Sequence, residues 1–260
     1  MSLERGQVIG LPVMAADMAS ITGAIVDLAG RGEGGHVCVA NTHMLTTARG
    51  DAQLRATMED ASLVVSDGMP LVWQLRRHGF SSAQQVRGPD LFLELCGAAA
   101  SAGLPVYFFG GDERLIADLT ARLRRDLPEL PIAGAEAPPM LPSRPVADAD
   151  VVARLRDSGA RIVFVGLGCP KQELWMQAYR PHLDAVLIGV GQAFAITAGH
   201  LAEAPRWVRR IGLEWLYRLA QEPRRLAGRY LRDDLPFCIG LLLRAAALGL
   251  SRAWSTLGKG

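Results

Sequence analysis

The sequence predicts a doubly wound α/β fold with a mostly parallel, Rossmann-like sheet and a C-terminal helical appendage. Short apolar runs rich in β-branched residues alternate with longer segments of helical period up to Gly191, a pattern typical of repeated βαβ units. Runs such as Ile162-Val163-Phe164-Val165 have no polar face, as expected for parallel strands covered by helices on both sides. After Gly191 the alternation stops and only helical segments follow.

These two patterns predict the order of elements. The strands cover residues 36–40, 62–66, 105–110, 132–135, 161–166 and 184–190. The helices between them cover residues 15–30, 43–59, 89–102, 113–127, 148–158 and 170–183. A Pro-rich stretch at 138–145 predicts a surface loop within one sheet. We therefore expect an α/β domain over residues 1–204 and a basic, amphipathic helical appendage over residues 205–260.

Composition and charge limit the classes of function. The chain has 260 residues, of which 50% are hydrophobic and 21% charged, so it folds rather than remaining disordered. A net charge of +2 excludes a nucleic-acid partner held by bulk positive charge. Residues 205–260 hold 11 Lys and Arg against 4 Asp and Glu, whereas residues 1–204 hold 17 against 22. This asymmetry favours an anionic partner at the C-terminus, such as a membrane surface.

Cysteine spacing and the N-terminus indicate the compartment. The four cysteines form no CxxC pair, and the five histidines show no ligand spacing, so we expect no zinc site and no disulfide framework, but buried thiols in a reducing compartment. We also expect no cofactor. The N-terminus lacks the basic and apolar regions of a signal peptide. No apolar run reaches the ~20 residues of a spanning helix. We expect a cytoplasmic protein attached peripherally to the inner face of the plasma membrane.

Glycine and polar residues follow the predicted strands. Ligands of an open parallel sheet bind beyond the carboxyl ends of its strands. Glycine lets a backbone approach a phosphate, and a helix N-terminus supplies N–H groups. The sequence therefore predicts a nucleotide-sized ligand at the residues that leave the strands, which are Asn41-Thr42-His43, Asp67-Gly68, Gly110-Gly111-Asp112, the run from Gly166 to Glu173, and the run from Gly189 to Gln192.

Gly166 and Gly168 match the first two glycines of the dinucleotide-binding motif G-x-G-x-x-G. Lys171 stands where that motif has its third glycine. Lys171 either holds a phosphate or is solvated. Gln172 and Glu173 either contact a base or ribose or cap the following helix. Two interpretations of this run therefore remain: a phosphate-binding loop and an ordinary strand-to-helix turn.

Two aspartate motifs allow a structural and a chemical interpretation. Asp67 either caps the helix that begins near Pro70 or acts as general base on a sugar hydroxyl. Asp148 and Asp150 match the DxD pattern of metal–diphosphate sites, but they lie far from any strand exit, and helix capping explains them better. In the appendage, Arg225, Arg229 and Arg232 share one helical face, which is either solvated or binds a diphosphate or an anionic headgroup.

Several longer motifs resemble those of the WecG/TagA/CpsF bacterial glycosyltransferases (glycosyltransferase family 26), which build lipid-linked cell-surface polysaccharides. The resemblance runs from about residue 8 to residue 244 and is most specific in the second half. The motifs are Ser66-Asp67-Gly68-Met69-Pro70, Val86-Arg87-Gly88-Pro89-Asp90-Leu91, Phe109-Gly110-Gly111, Val165 to Trp175, Gly189 to Phe194, Ala204-Pro205-Arg206-Trp207, Gly212 to Leu219 and Gln221 to Leu226.

The resemblance implies an inverting, metal-independent transfer of a sugar, N-acetylmannosamine or glucose, from a UDP-sugar to a polyprenyl-diphosphate-linked saccharide. It implies that residues 1–204 form the nucleotide-sugar-binding catalytic domain, with Asp67 as the general base. It also implies that the arginine-rich, membrane-associating appendage covers the site. The oligomeric state is left open, and a homo-oligomer is one possibility. Together with the strand exits it gives the candidate substrate-binding residues Asn41, Thr42, Gly68, Arg87, Gly110, Gly111, Gly166, Gly168, Lys171, Gln172, Gln192, Arg218, Arg225 and Arg229.

The chain also departs from the family pattern. Many members have arginine where this chain has Gln85, and Arg87 is the candidate replacement. Thr42-His43 also differs from the usual residues after Asn41, which leaves the donor sugar open. Two other functions compete with sugar transfer: a nucleotide-dependent oxidoreductase, disfavoured by the missing third glycine and by the lack of a ribose-binding acid, and a UDP-sugar sensor without turnover.

Overall fold

The computed structural model describes residues 3–205, 207–208, 214–224, 228 and 239–240. The chain divides into two compact units, Met1–Glu203 and Ala204–Gly260.

An antiparallel hairpin opens the first unit. Strand β1 (Arg5–Val8) pairs with β2 (Leu11–Met14) through the two-residue turn Ile9-Gly10. Both turn residues have positive φ, 56° and 73°, as the tight turns of such hairpins require. The sequence analysis placed no strand here, because isoleucine at the first turn position hides the usual Asn-Gly or Asp-Gly signal.

A six-stranded, all-parallel sheet forms the centre of the first unit and confirms the predicted fold class. Its strands occur in the order β4-β3-β8-β7-β5-β6. Every residue of β3, β4, β5 and β8 is buried, which explains their continuous apolar sequences. The strands are β3 (Gly35–Ala40), β4 (Leu63–Ser66), β5 (Val106–Gly110), β6 (Ile132–Glu136), β7 (Ile162–Gly166) and β8 (Val186–Gly189).

Helices cover both faces of this sheet. One face packs against α1, α5, α6 and α9, with Phe92 and Phe194 meeting Phe108 and Phe164 in an aromatic cluster. The other face packs against α2, α3 and α8, where Trp175 stacks on Phe109 at a ring-centroid distance of 4.5 Å. The helices are α1 (Met18–Arg31), α2 (Thr42–Gly50), α3 (Ala52–Glu59), α4 (Met69–Arg77), α5 (Gly88–Ala102), α6 (Glu113–Asp126), α7 (Ala149–Asp157), α8 (Lys171–Tyr179) and α9 (Ala193–Thr197).

The single helix predicted over residues 43–59 is wrong, because α2 and α3 are separate. Asp51 ends α2 with extended backbone, and its side chain accepts hydrogen bonds from the backbone N–H groups of Gln53 and Leu54 at 3.0 and 3.1 Å. An aspartate in this position starts a helix rather than continuing one. The helix predicted to end at residue 183 also stops early, at Tyr179, and a 3₁₀ turn over Arg180–His182 follows it.

In the second unit the structure describes helix α10 (Glu214–Gln221). Its Trp215 and Leu216 side chains are exposed, and Arg218 Nε lies 3.7 Å from Glu214 Oε1 one turn earlier. In the described part of the chain, no helix combines the length and the apolar character needed to cross a bilayer.

Candidate active site

The strand order brings the predicted strand exits to one edge of the sheet. Because all six strands are parallel, their carboxyl ends lie on the same side. Asp67 follows β4, Asn41 follows β3, Gly191 lies just beyond β8, and the glycine pairs 166/168 and 110/111 belong to the ends of β7 and β5. The side on which the next strand is added reverses between the neighbours β7 and β5. The strand that follows β7 in the chain lies on the β8 side, and the strand that follows β5 lies on the β6 side. A switch of this kind is where open α/β sheets bind nucleotides.

Asp67 is fixed by three hydrogen bonds from different parts of the chain. Its backbone N–H donates to the Ala40 carbonyl at 2.8 Å, and its own carbonyl accepts from Gln85 Nε2 at 2.6 Å. Its carboxylate oxygen Oδ1 accepts the Gly88 N–H, the first residue of α5, at 3.2 Å. The side chain is therefore held at a strand end and a helix N-terminus, where a negative charge is stabilised.

Asp67 does not cap the helix that follows it, so that interpretation is wrong. The N-cap of α4 is Gly68, and no side chain bonds to the first turn. Two of the groups that hold Asp67 cannot be predicted from the sequence. Gln85 stands out there only as a departure from the family pattern, and nothing marks the Gly88 N–H as a partner of residue 67.

Gly68 brings the exits of β4 and β3 into contact. A Cβ atom at Gly68 would lie 3.6 Å from Asn41 Cα and 3.6 Å from the Thr42 backbone nitrogen. Asn41 caps α2, because its Oδ1 accepts the Met44 N–H at 3.1 Å. Asn41 and Thr42 therefore lie beside the segment that carries Asp67, although the Asn41 oxygen has a structural partner.

Glycine is required at the ends of β5 and β7. Gly110 has φ of 133°, and a Cβ there would lie 2.6 Å from the Gly166 carbonyl oxygen. A Cβ on Gly166 would lie 2.6 Å from the Phe194 ring. Gly111 and Gly168 have φ of 77° and 78°. Gly110 and Gly166 therefore let the ends of β5 and β7 pack closely against each other and against Phe194, whereas Gly111 and Gly168 are exposed and leave backbone that a phosphate can approach at the switch point.

Lys171 anchors the Pro-rich loop. Its Nζ donates to the Leu141 carbonyl at 2.9 Å, a contact that neither the phosphate nor the solvated interpretation included. Lys171 therefore joins the first turn of α8 to the chain that leaves β6.

Gln172 and Glu173 are buried inside the unit, and neither one caps α8. Gln172 Oε1 accepts the Gly168 N–H at 3.1 Å, and its Nε2 donates to Glu173 Oε1 at 2.7 Å. Burial raises the pKa of the Glu173 carboxyl from 4.5 to about 7, although hydrogen bonds from Gln172, its own backbone and Cys169 act to lower it.

Arg87 is neutralised by two carboxylates. Its side chain is 7% exposed, and Nη1 lies 2.8 Å from Asp90 Oδ2 and 2.9 Å from Glu203 Oε1. Gln192, the remaining candidate in this unit, is half-buried and precedes α9 without capping it through its side chain. Arg225 and Arg229 lie outside the described residues.

The sequence model of the glycosyl transferase WecG/TagA/CpsF family matches residues 6–250. The chain belongs to this family. Membership makes the protein a glycosyltransferase of cell-surface polysaccharide synthesis, which uses a sugar donor and a glycan acceptor, and it overrides the oxidoreductase interpretation. The matched range includes the whole central sheet and most of the second unit.

The DxD motif of this glycosyltransferase is a helix cap, as the sequence analysis favoured. Asp148 Oδ1 accepts the backbone N–H groups of Asp150 and Val151 at 2.8 and 3.3 Å, at the start of α7. Within the described ranges, His, Cys, Asp and Glu nowhere form a group of three or more arranged to hold a metal.

The buried Glu173 carboxyl makes the stability of the glycosyltransferase depend on pH. Since its pKa is raised in the folded state, folding takes up a proton between pH 4.5 and about 7, and stability falls as pH rises through this range. Glu173→Gln removes this titration. We expect the unfolding free energy of the variant, relative to wild type, to increase by about 2–3 kcal/mol from pH 5 to pH 8.

Denaturant unfolding of both proteins across this range measures the difference. Glu94→Gln is the matched control, because it makes the same substitution at an exposed position of α5. A constant difference between Glu173→Gln and wild type would mean that Glu173 titrates in the fold as it does in water.

Proposed function

We propose that the protein transfers N-acetylmannosamine or glucose, with inversion, from a UDP-sugar to a polyprenyl-diphosphate-linked saccharide. The observation that carries the proposal is the Asp67 carboxylate, held by the Gly88 N–H at the carboxyl edge that also carries the exposed glycines Gly111 and Gly168, just after β5 and β7. A base and a phosphate-accessible backbone on one sheet edge are the two parts that a direct sugar transfer needs.

The donor diphosphate lies, in this proposal, against the glycine exits of β7 and β5. The first turns of α8 and α6, which follow these exits, direct N–H groups toward it and stabilise the departing UDP. From β7 to β4 the edge crosses three strand spacings, about 14 Å at the usual separation of neighbouring strands. An extended nucleotide diphosphate sugar covers such a span, which places its sugar near Asp67.

Asp67 acts on the acceptor in a single displacement. The acceptor hydroxyl attacks the anomeric carbon while the Asp67 carboxylate takes up the hydroxyl proton. The bond from the anomeric carbon to the UDP oxygen breaks, and UDP leaves with its electron pair. Attack from the face opposite UDP inverts the anomeric centre.

The appendage brings the enzyme to its lipid-linked acceptor in this proposal. The excess of 11 basic over 4 acidic residues in 205–260 favours an anionic membrane surface. Association would be peripheral, at the inner face of the plasma membrane. The proposal is tested by a screen of UDP-sugars with a short-chain polyprenyl-diphosphate-linked saccharide, in which product formation and its anomeric configuration are measured together. Absence of transfer from every UDP-sugar would contradict it.

We expect transfer activity to persist in excess EDTA. Asp148, the first residue of the DxD motif, uses its carboxylate to cap α7, so the motif is committed to helix structure. The charge of the diphosphate can be met by arginines and helix N-termini. The test compares the initial rates of transfer with and without EDTA. A metal-dependent glycosyltransferase, which must lose activity in EDTA, is the positive control. Loss of activity that Mg²⁺ or Mn²⁺ restores would assign the motif to metal binding.

A further inference from the structure

A buried amide–carboxyl pair lies beneath the loop between β7 and α8. Glu173 has no exposed surface and Gln172 is 4% exposed. Gln172 Nε2 donates to Glu173 Oε1 at 2.7 Å, while Glu173 Oε2 is buried without a hydrogen-bond partner among the described residues. A buried polar atom left in this state needs an explanation.

The pair reaches the loop through the other end of the Gln172 amide. Gln172 Oε1 accepts the N–H of Gly168, which has φ of 78°. A Cβ on Gly189 would lie 2.9 Å from Gln172 Nε2, and one on Gly191 would lie 3.7 Å from Oε1. The amide thus fills the gap between the ends of β7 and β8. Because an ionised carboxylate can only accept hydrogen bonds, Glu173 pairs with the NH₂ end of the Gln172 amide and so fixes which way the amide points.

Stability alone does not account for a carboxyl at position 173. Burial raises its pKa to about 7, so the ionised form costs stability at neutral pH. The titratable groups beside it are Cys38 on β3 and Cys169 in the loop, and burial raises the pKa of Cys38 well above its ordinary value. No cation among the groups that influence Glu173 compensates its charge.

We propose that Glu173 is a positioning residue that, through Gln172, holds the Gly168 backbone in the form that receives the donor diphosphate. This inference rests on the proposed function, because it assumes that the β7–α8 loop binds the diphosphate. Glu173 itself does not touch the donor. Its carboxylate orients the Gln172 amide, and the amide oxygen holds the Gly168 N–H.

Glu173→Met tests the inference, because methionine keeps the length of the side chain and removes the acceptor. We expect the affinity for UDP to fall about tenfold, the equivalent of one lost hydrogen bond. Hydrogen exchange of the loop peptide 166–171 should become about tenfold faster, while exchange in α1 stays unchanged. Glu173→Gln keeps an acceptor oxygen for Gln172 and should restore both values to within about threefold of wild type.

Ile25→Ala is the matched control, because Ile25 is fully buried in α1 on the opposite face of the sheet. This variant should lower thermal stability without changing UDP affinity or loop exchange. Unchanged loop exchange in Glu173→Met, or loss of UDP affinity that follows thermal stability equally in Glu173→Met and Ile25→Ala, would overturn the inference. Glu173→Ala is the second variant if Glu173→Met does not fold, and failure of both to fold would also overturn it.

The two proposals can fail separately. If wild-type protein does not bind UDP, the proposed donor is wrong, whereas the exchange of residues 166–171 still reports whether Glu173 holds the loop. If wild type and Glu173→Met bind UDP equally, the donor proposal stands and the positioning role is wrong.

Discussion

Asp67→Asn should reduce the rate of sugar transfer by roughly 10²–10⁴-fold, the usual contribution of a general base, while UDP binding stays at the wild-type level. Asparagine keeps an oxygen that can accept the Gly88 N–H, which Asp67 Oδ1 accepts at 3.2 Å. The backbone bonds to Ala40 and Gln85 do not involve the side chain that is changed. The substitution therefore removes the basic group and leaves its surroundings in place.

Initial rates of UDP release and calorimetric titration with UDP measure the two expectations side by side. Asp148→Asn is the matched control, because it also neutralises a carboxylate while keeping the cap oxygen that bonds Asp150 and Val151. Its transfer rate should equal that of wild type. Near-normal turnover by Asp67→Asn would leave Asp67 with a structural role only.

Truncation near Pro205 should yield a more soluble protein with little or no transfer activity and no affinity for anionic vesicles. The removed segment carries 11 of the 28 basic residues of the chain and only 4 acidic ones. Each basic residue near an anionic surface contributes ~1 kcal/mol of attraction, and this attraction weakens as salt is added. The full-length protein should therefore float with vesicles at low salt and dissociate at high salt.

Two full-length variants separate the loss of charge from the loss of the segment. Replacing Arg225, Arg229 and Arg232 by glutamine should weaken flotation in the same salt-dependent way. Replacing Arg114 and Arg124, which are exposed on α6, should leave flotation unchanged. Equal flotation of full-length and truncated protein would show that the appendage has no part in membrane binding. Full activity after truncation would show that it has no part in catalysis.

The sheet could be predicted from the sequence because its signals are local. Buried strands such as β7 are continuous apolar runs, and the residues at their ends follow directly in the chain. The positions of Asp67, Asn41 and the glycine exits on one edge then follow from the parallel arrangement alone. The capping role of Asp148 could be predicted for the same reason, since a cap and its helix are adjacent in sequence.

What the sequence did not reveal depends on contacts between distant segments. The Gly88 N–H meets Asp67 across 21 residues, and Lys171 bonds to Leu141 across 30. The roles of Gln172 and Glu173 depend on burial, which is not visible in two polar residues at the start of a helix. The ion pair of Arg87 with Glu203 joins residues more than a hundred positions apart, so the sequence does not reveal it, and the role of Arg87 in substrate binding stays a prediction.

The N-terminal hairpin has a consequence for anyone trimming or tagging this protein. Just beyond β2, the Ala15 and Ala16 carbonyls accept hydrogen bonds from Ser82 Oγ and the Gln84 N–H at 3.1 and 3.2 Å. These bonds anchor the stretch that runs on to Gly88 and delivers its N–H to Asp67. A deletion of the first 16 residues would remove no strand of the central sheet, yet it would remove two hydrogen bonds that hold the stretch leading to Gly88, whose N–H contacts the proposed base Asp67. The N-terminal hairpin, which the sequence does not predict, thus leads into residues that support the segment beside Asp67, and the protein should not be shortened there.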